Sequence, residues 1–125
     1  MAKKRVLIID DTDDITMPLK LYLEKSGAYE VRVENNGVKG LEAAKEFQPH
    51  LILLDVMMPD MDGGEVAAHL EEDPATQNIL VVFLTAAVTK EEVAGKGNML
   101  SGRMLLSKQT SLPEIITFVK KILGV

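Results

Sequence analysis

The chain is expected to fold as a doubly wound α/β protein, a five-stranded parallel sheet flanked by five helices, and three observations predict it. Strand-length apolar runs alternate with stretches of helical periodicity, the pattern of successive strand–helix–strand units. The runs at 5–9 (RVLII), 51–54 (LILL) and 79–84 (ILVVFL) are almost continuously apolar. That suits strands covered on both faces, as in a parallel sheet with helices on either side. Polar residues with chemical capacity stand where these runs stop, at the edge where open α/β sheets build their sites.

The first strand, 5–9, ends in Asp10, Asp11, Thr12, Asp13 and Asp14. Ile15, Leu19, Tyr22 and Leu23 then recur at helical spacing until Ser26-Gly27 closes that helix. With Asp13 or Asp14 as its cap, Pro18 falls in or just past the first turn, where a missing N–H costs little. Residues 29–34 (YEVRVE) alternate and read as a strand nearer an edge. Asn35-Asn36-Gly37 opens a helix carrying Val38, Leu41, Ala44 and Phe47, which Gln48-Pro49 ends. The stretch 50–64 (HLILLDVMMPDMDGG) is central: a buried strand leads into Asp55, then into a turn set by Pro59, Asp60, Asp62, Gly63 and Gly64. A helix bearing Val66, Ala67 and Leu70 stops at Asp73-Pro74, and the strand at 79–84 delivers Thr85. The segment 89–101 begins as a helix but meets Gly95 and Gly97, each costing about 1 kcal/mol relative to alanine, so that helix is expected to be short. The fifth strand, 103–107 (RMLLS), ends at Lys108, and Ser111-Leu112-Pro113-Glu114 is a capping box opening the last helix.

Composition restricts the function. At 125 residues the chain is one domain, long enough for a core of its own, with 46% hydrophobic and 26% charged residues. A net charge of -5 disfavours nonspecific nucleic-acid binding, which needs an excess of Lys and Arg. The absence of cysteine excludes disulfides, thiolate metal sites and a thiol nucleophile. The apolar run after MAKKR stops at Asp10, too short for a signal-peptide core or a membrane span, so a cytoplasmic location without membrane association is expected.

The predicted strand ends collect Asp10, Asp11, Asp55, Thr85 and Lys108 at one edge. Like charges a few ångströms apart raise one another's pKa, so three carboxylates brought together need compensation. A divalent cation supplies it, and oxygen ligands without His or Cys suit Mg²⁺. Thr85 and Lys108 are placed to contact a phosphoryl group carried by the remaining acid.

These residues, with Asp55 inside LLDVMMPDMDG and Thr85-Ala86 after the fourth strand, resemble the response-regulator receiver domain of the two-component signalling family. The resemblance spans 1–125 and implies a single-domain receiver of the chemotaxis type. It also implies a flavodoxin-like sheet in the order 2-1-3-4-5. By similarity, Asp55 accepts a phosphoryl group from a phosphohistidine of a histidine kinase or histidine phosphotransfer protein. Asp10, Asp11, Asp55 and the backbone carbonyl of Met57 hold Mg²⁺, and Thr85 and Lys108 contact the phosphoryl oxygens. The protein would then be a switch acting on a downstream protein target, its only catalysis being its own phosphorylation and slow dephosphorylation. Asp11-Thr12-Asp13 also resembles the DxD motif of haloacid-dehalogenase phosphatases, but the chain lacks the length for a cap and the later acidic pair. A flavin or nucleotide binder on the same sheet would need phosphate donors in its first loop, where this chain has DDTDD. A third alternative is a receiver that works as an interaction module without phosphorylation.

Departures from the family pattern set further expectations. Gln109 follows Lys108 where receivers usually have a proline in a cis peptide, and a trans bond is expected because a non-proline cis bond costs about 2.5–4 kcal/mol. Leu105 replaces the usual aromatic residue three positions before the lysine. The face 89–106, with its glycines and Met99, Leu100 and Met104, has two readings: a mobile partner-binding surface, or Met and Leu side chains that fill the core under a shortened helix. Met57 and Ala87, two positions beyond the acceptor and the threonine, offer no useful hydrogen bond to a hydrolytic water, so the phosphoryl group is expected to be lost slowly.

Overall fold

In the computed structural model, which describes residues 2–86, 99–100 and 103–124, the apolar runs form β1 (Lys4–Ile9), β2 (Tyr29–Glu34), β3 (Leu51–Asp55), β4 (Leu80–Thr85), β5 (Met99–Leu100) and β6 (Arg103–Ser107). The helical stretches form α1 (Asp13–Lys25), α2 (Gly37–Phe47), α3 (Gly63–Glu72) and α4 (Leu112–Leu123). One sheet runs in the order β2-β1-β3-β4-β6-β5. Its first five members pair in parallel, which is the expected 2-1-3-4-5 arrangement with β6 as the fifth parallel strand.

Among the elements, one differs from the sequence expectation and one lies outside the described residues. The sheet has a sixth strand: β5 runs antiparallel to β6, with Met99 opposite Met104 and Leu100 opposite Arg103. Two residues are too few to carry a period, so nothing in the sequence marked them as a strand. The described residues hold four helices. The fifth, expected to start near Thr89, lies outside the described residues, as does most of the face 89–106. Of that face, Leu105 is buried, Leu106 packs on the core and Met104 is 39% exposed.

The continuous apolar runs are explained by the two cores they serve. Leu7, Ile9, Ile52, Leu54, Phe83 and Leu105 pack with Ala43 and Ala44 of α2 and with Val66, Ala67 and Leu70 of α3. Their strand neighbours Val6, Ile8, Leu51, Leu53, Val82 and Leu84 pack with Leu19 and Leu23 of α1 and with Ile115, Ile116 and Val119 of α4. Side chains alternate across a strand, so covering both faces requires an apolar residue at every position. All four of Leu51, Ile52, Leu53 and Leu54 are fully buried, each contributing about 1.5–3 kcal/mol of transfer free energy.

The helix starts are mostly capped as the sequence implies. Asn36 accepts from the Lys39 N–H at 2.9 Å, Asp62 from Glu65 at 2.9 Å and Ser111 from Glu114 at 3.3 Å. The exception is α1, whose N-cap is Thr12 and neither Asp13 nor Asp14. Pro18 is therefore the sixth helical residue, past the first turn, and the rung it would have made to the Asp14 carbonyl is missing.

Candidate functional site

The C-terminal ends of β1, β3, β4 and β6 bring together the residues singled out in the sequence. Asp55 is the last residue of β3 and continues the alternation of Leu51 and Leu53. It is paired in register with Leu84 of β4, and its side chain is almost wholly buried. Asp10, one residue past β1, is 1% exposed, and Asp11 beside it is exposed. One carboxylate oxygen from each of Asp10, Asp11 and Asp55 lies within 4.8 Å of the others. Two buried acids and one open to solvent make a pocket of hard oxygen donors facing outward, a donor set that fits a small divalent cation retaining water.

Lys108 closes the other side. Its Nζ lies 2.7 Å from Asp10 Oδ2 and 3.5 Å from Asp55 Oδ2, and the side chain is only 6% exposed. It also donates to Thr12 Oγ1 at 3.3 Å. A single cation thus offsets part of the charge of three acids. The remainder appears at Asp55, whose pKa is pushed up from 3.8 to about 6 by burial first and then by the Asp10 charge. The Lys108 charge and the Met57 N–H, 3.4 Å from Asp55 Oδ1, act in the opposite direction but do not cancel the rise.

Thr85 ends β4, buried, and its carbonyl accepts from the Lys108 N–H at 2.8 Å. The threonine and the lysine are thereby fastened together through backbone. After Lys108 the chain turns. Ser107 Oγ accepts from the Gln109 N–H and the Ser107 carbonyl from Thr110, both at 3.0 Å. The Lys108-Gln109 peptide is trans, as expected. A serine-based turn holds the lysine loop without proline.

The loop after Asp55 is fixed by contacts across the sequence. Gly63 donates to the Val56 carbonyl at 2.8 Å. A Cβ at Gly63 would meet the Asp55 carbonyl oxygen at 2.5 Å and Val56 Cα at 2.8 Å, so only glycine lets α3 start this close to β3. The Asp60 carboxylate accepts from the Gly37 N–H at 3.0 Å and from Val38 at 3.3 Å, at the start of α2. Those bonds hold its pKa below the ordinary value. Met57, 66% exposed, helps line a pocket of about 730 Å³ whose walls are mainly apolar, with Met58, Pro59 and Phe83, but also include Asp62 and Arg103.

All five polar residues predicted from the strand ends therefore meet at one edge. Sequence reasoning missed Thr12 and Ser107, and it took Asp60 and Gly63 only as turn residues, the glycines for a positive φ, whereas Asp60 reaches α2 and Gly63 and Gly64 begin α3 without positive φ. Thr12 was visible within DDTDD and Ser107 as the residue before the lysine, but their contacts depend on side-chain rotamers. Ala87 lies outside the described residues.

A sheet of this order with an acidic cluster and a lysine at its C-terminal edge defines a class, and the chain belongs to it: residues 6–120 match the response regulator receiver domain. Among its relatives, a polar-differentiation response regulator DivK from Brucella anthropi is 33% identical over 123 residues, with 97% of each chain covered. Among solved structures, the N-terminal domain of a response regulator receiver protein from Methanoculleus marisnigri is 32% identical with a TM-score of 0.71, covering 99% of both chains. The receiver domain of the Francisella response regulator 1452 is 27% identical with a TM-score of 0.79 over 98% of each. This membership gives no support to the dehalogenase-like or flavin-binding alternatives. Among the described residues no helix is long and apolar enough to cross a membrane.

Proposed function

We propose that this receiver, taken as one domain over 1–125, accepts a phosphoryl group on Asp55 in a Mg²⁺-dependent step and so switches its binding to a downstream protein in the cytoplasm. The observation that carries this reading is the approach of the Asp10, Asp11 and Asp55 carboxylates within 4.8 Å, bridged by a buried Lys108. The donor would be the phosphohistidine of a histidine kinase or histidine phosphotransfer protein. An Asp55 carboxylate oxygen attacks phosphorus, the phosphorus–nitrogen bond breaks, and the imidazole leaves with the electron pair. Asp10, Asp11, Asp55 and the Met57 carbonyl would hold Mg²⁺, which supplies charge neutralisation at the phosphoryl oxygens. Lys108 already lies between Asp10 and Asp55 and is placed to pair with a phosphoryl oxygen. Thr85, whose carbonyl accepts from the Lys108 N–H, would donate a hydrogen bond to a phosphoryl oxygen.

Incubation with acetyl phosphate and Mg²⁺ is expected to add one phosphoryl group to the intact protein by mass spectrometry. The adduct should be absent from Asp55→Asn and from samples in EDTA. A wild type that takes up no label under these conditions would instead act as a phosphorylation-independent interaction module.

The adduct should also be long-lived. A hydrolytic water gains no orienting hydrogen bond from the side chain of Met57 or Ala87, and losing one worth about 1.4 kcal/mol slows a reaction about tenfold. A Met57→Asn, Ala87→Glu double variant should lose label at least about tenfold faster than the wild type in Mg²⁺ once the donor is removed. Equal decay would mean that these positions do not set the lifetime.

A further inference from the structure

We propose that Thr12 is a positioning residue of the metal site, holding Asp10 in the orientation that presents one oxygen to the cation. The inference rests on the reading of the acidic cluster as a Mg²⁺ site and extends it to a residue outside the ligand set. Thr12 occupies the N-cap of α1, where a threonine hydroxyl ordinarily accepts from the N–H two or three residues on and contributes about 1 kcal/mol. Here it makes no such bond. Its hydroxyl instead donates to Asp10 Oδ1 at 2.7 Å, and its backbone N–H donates to the same oxygen at 3.0 Å. Two donors from one residue fix the plane of the Asp10 carboxylate.

Oδ1 is thereby committed to Thr12. Oδ2 is the oxygen left for a positive charge, and it is the one that Lys108 meets at 2.7 Å. The same hydroxyl also accepts from Lys108 Nζ at 3.3 Å, so one threonine orients both the acid and the base of the cluster. The helix has given up a cap to build this arrangement. Outer hydrogen bonds of this kind set the orientation of a ligating group, and their removal typically lowers metal affinity by about 10-fold to 100-fold.

The test is the Mg²⁺ affinity of the folded, unphosphorylated protein, measured by titration calorimetry on the wild type, Thr12→Val and Thr12→Ser. The valine variant keeps the shape and the backbone donor but loses the hydroxyl, and its dissociation constant should rise about tenfold. Serine restores the hydroxyl and should bring affinity back to within about twofold of the wild type. Helix content by circular dichroism should match in all three, because the hydroxyl does no capping. Should the valine variant not fold, Thr12→Ala carries the same expectation. Wild-type affinity in the valine variant, or an equal loss in the serine variant, overturns the role of Thr12 while leaving the metal site intact. A wild type that binds no Mg²⁺ overturns the metal-site reading itself, and this inference with it.

Discussion

Asp55→Asn should make the metal-free protein more stable at neutral pH, by on the order of 2–3 kcal/mol, although it removes the proposed phosphoacceptor. The folded-state pKa of Asp55 is raised from 3.8 to about 6, so between these values the folded chain binds more protons than the unfolded one. Stability contributed by this group therefore falls as pH rises through that window and stays low above it. Asparagine removes the charge and keeps an oxygen to accept from the Met57 N–H. Urea unfolding in EDTA should show the variant ahead of the wild type at about pH 7.5, with the gap closing toward about pH 4. Mg²⁺ should narrow the gap at neutral pH by stabilising the wild type more than the variant. A variant no more stable than the wild type at neutral pH would mean that Lys108 already compensates the three acids.

Gly63→Ala should destabilise the fold by about 3 kcal/mol, while Gly64→Ala should be nearly neutral. At Gly63 the new methyl meets backbone at 2.5 and 2.8 Å, atoms that cannot move aside without displacing the end of β3 and Asp55 with it. At Gly64 its nearest neighbour is Asp62 Oδ1 at 3.2 Å, a side-chain atom, and alanine is the better helix former. Unfolding midpoints of the two variants measure the contrast directly. Similar losses at both positions would show that helix propensity, and not the approach of α3 to β3, governs this turn.

The strands and the main polar residues were legible because a strand covered on both faces leaves an unmistakable apolar run. Where Ile9 gives way to Asp10, Leu54 to Asp55 and Leu84 to Thr85, the apolar run stops while burial continues, and a buried polar residue marks the edge of the sheet. The packing behind them was not legible. Asp60 reaches Gly37 across 23 residues, and Gly63 is required by a backbone contact that no local pattern encodes. Thr12 is the clearest case. Among five consecutive polar residues any could cap α1, and the choice fell to the one whose hydroxyl is drawn to the buried Asp10. The trans peptide after Lys108 was readable from the cost of the alternative, whereas the serine turn that stabilises it emerged only with Ser107 Oγ in place.

The anchoring of Asp60 and Asp62 bears on where strain can go. These carboxylates tether the segment after Asp55 to the starts of α2 and α3, with Gly63 wedged against β3 between them. That flank behaves as a stiff wall. A change of charge or bulk at Asp55 therefore meets little give on the side of α2 and α3, and the groups that face it across the cleft are Lys108 and the Thr85 strand end whose carbonyl holds the Lys108 N–H.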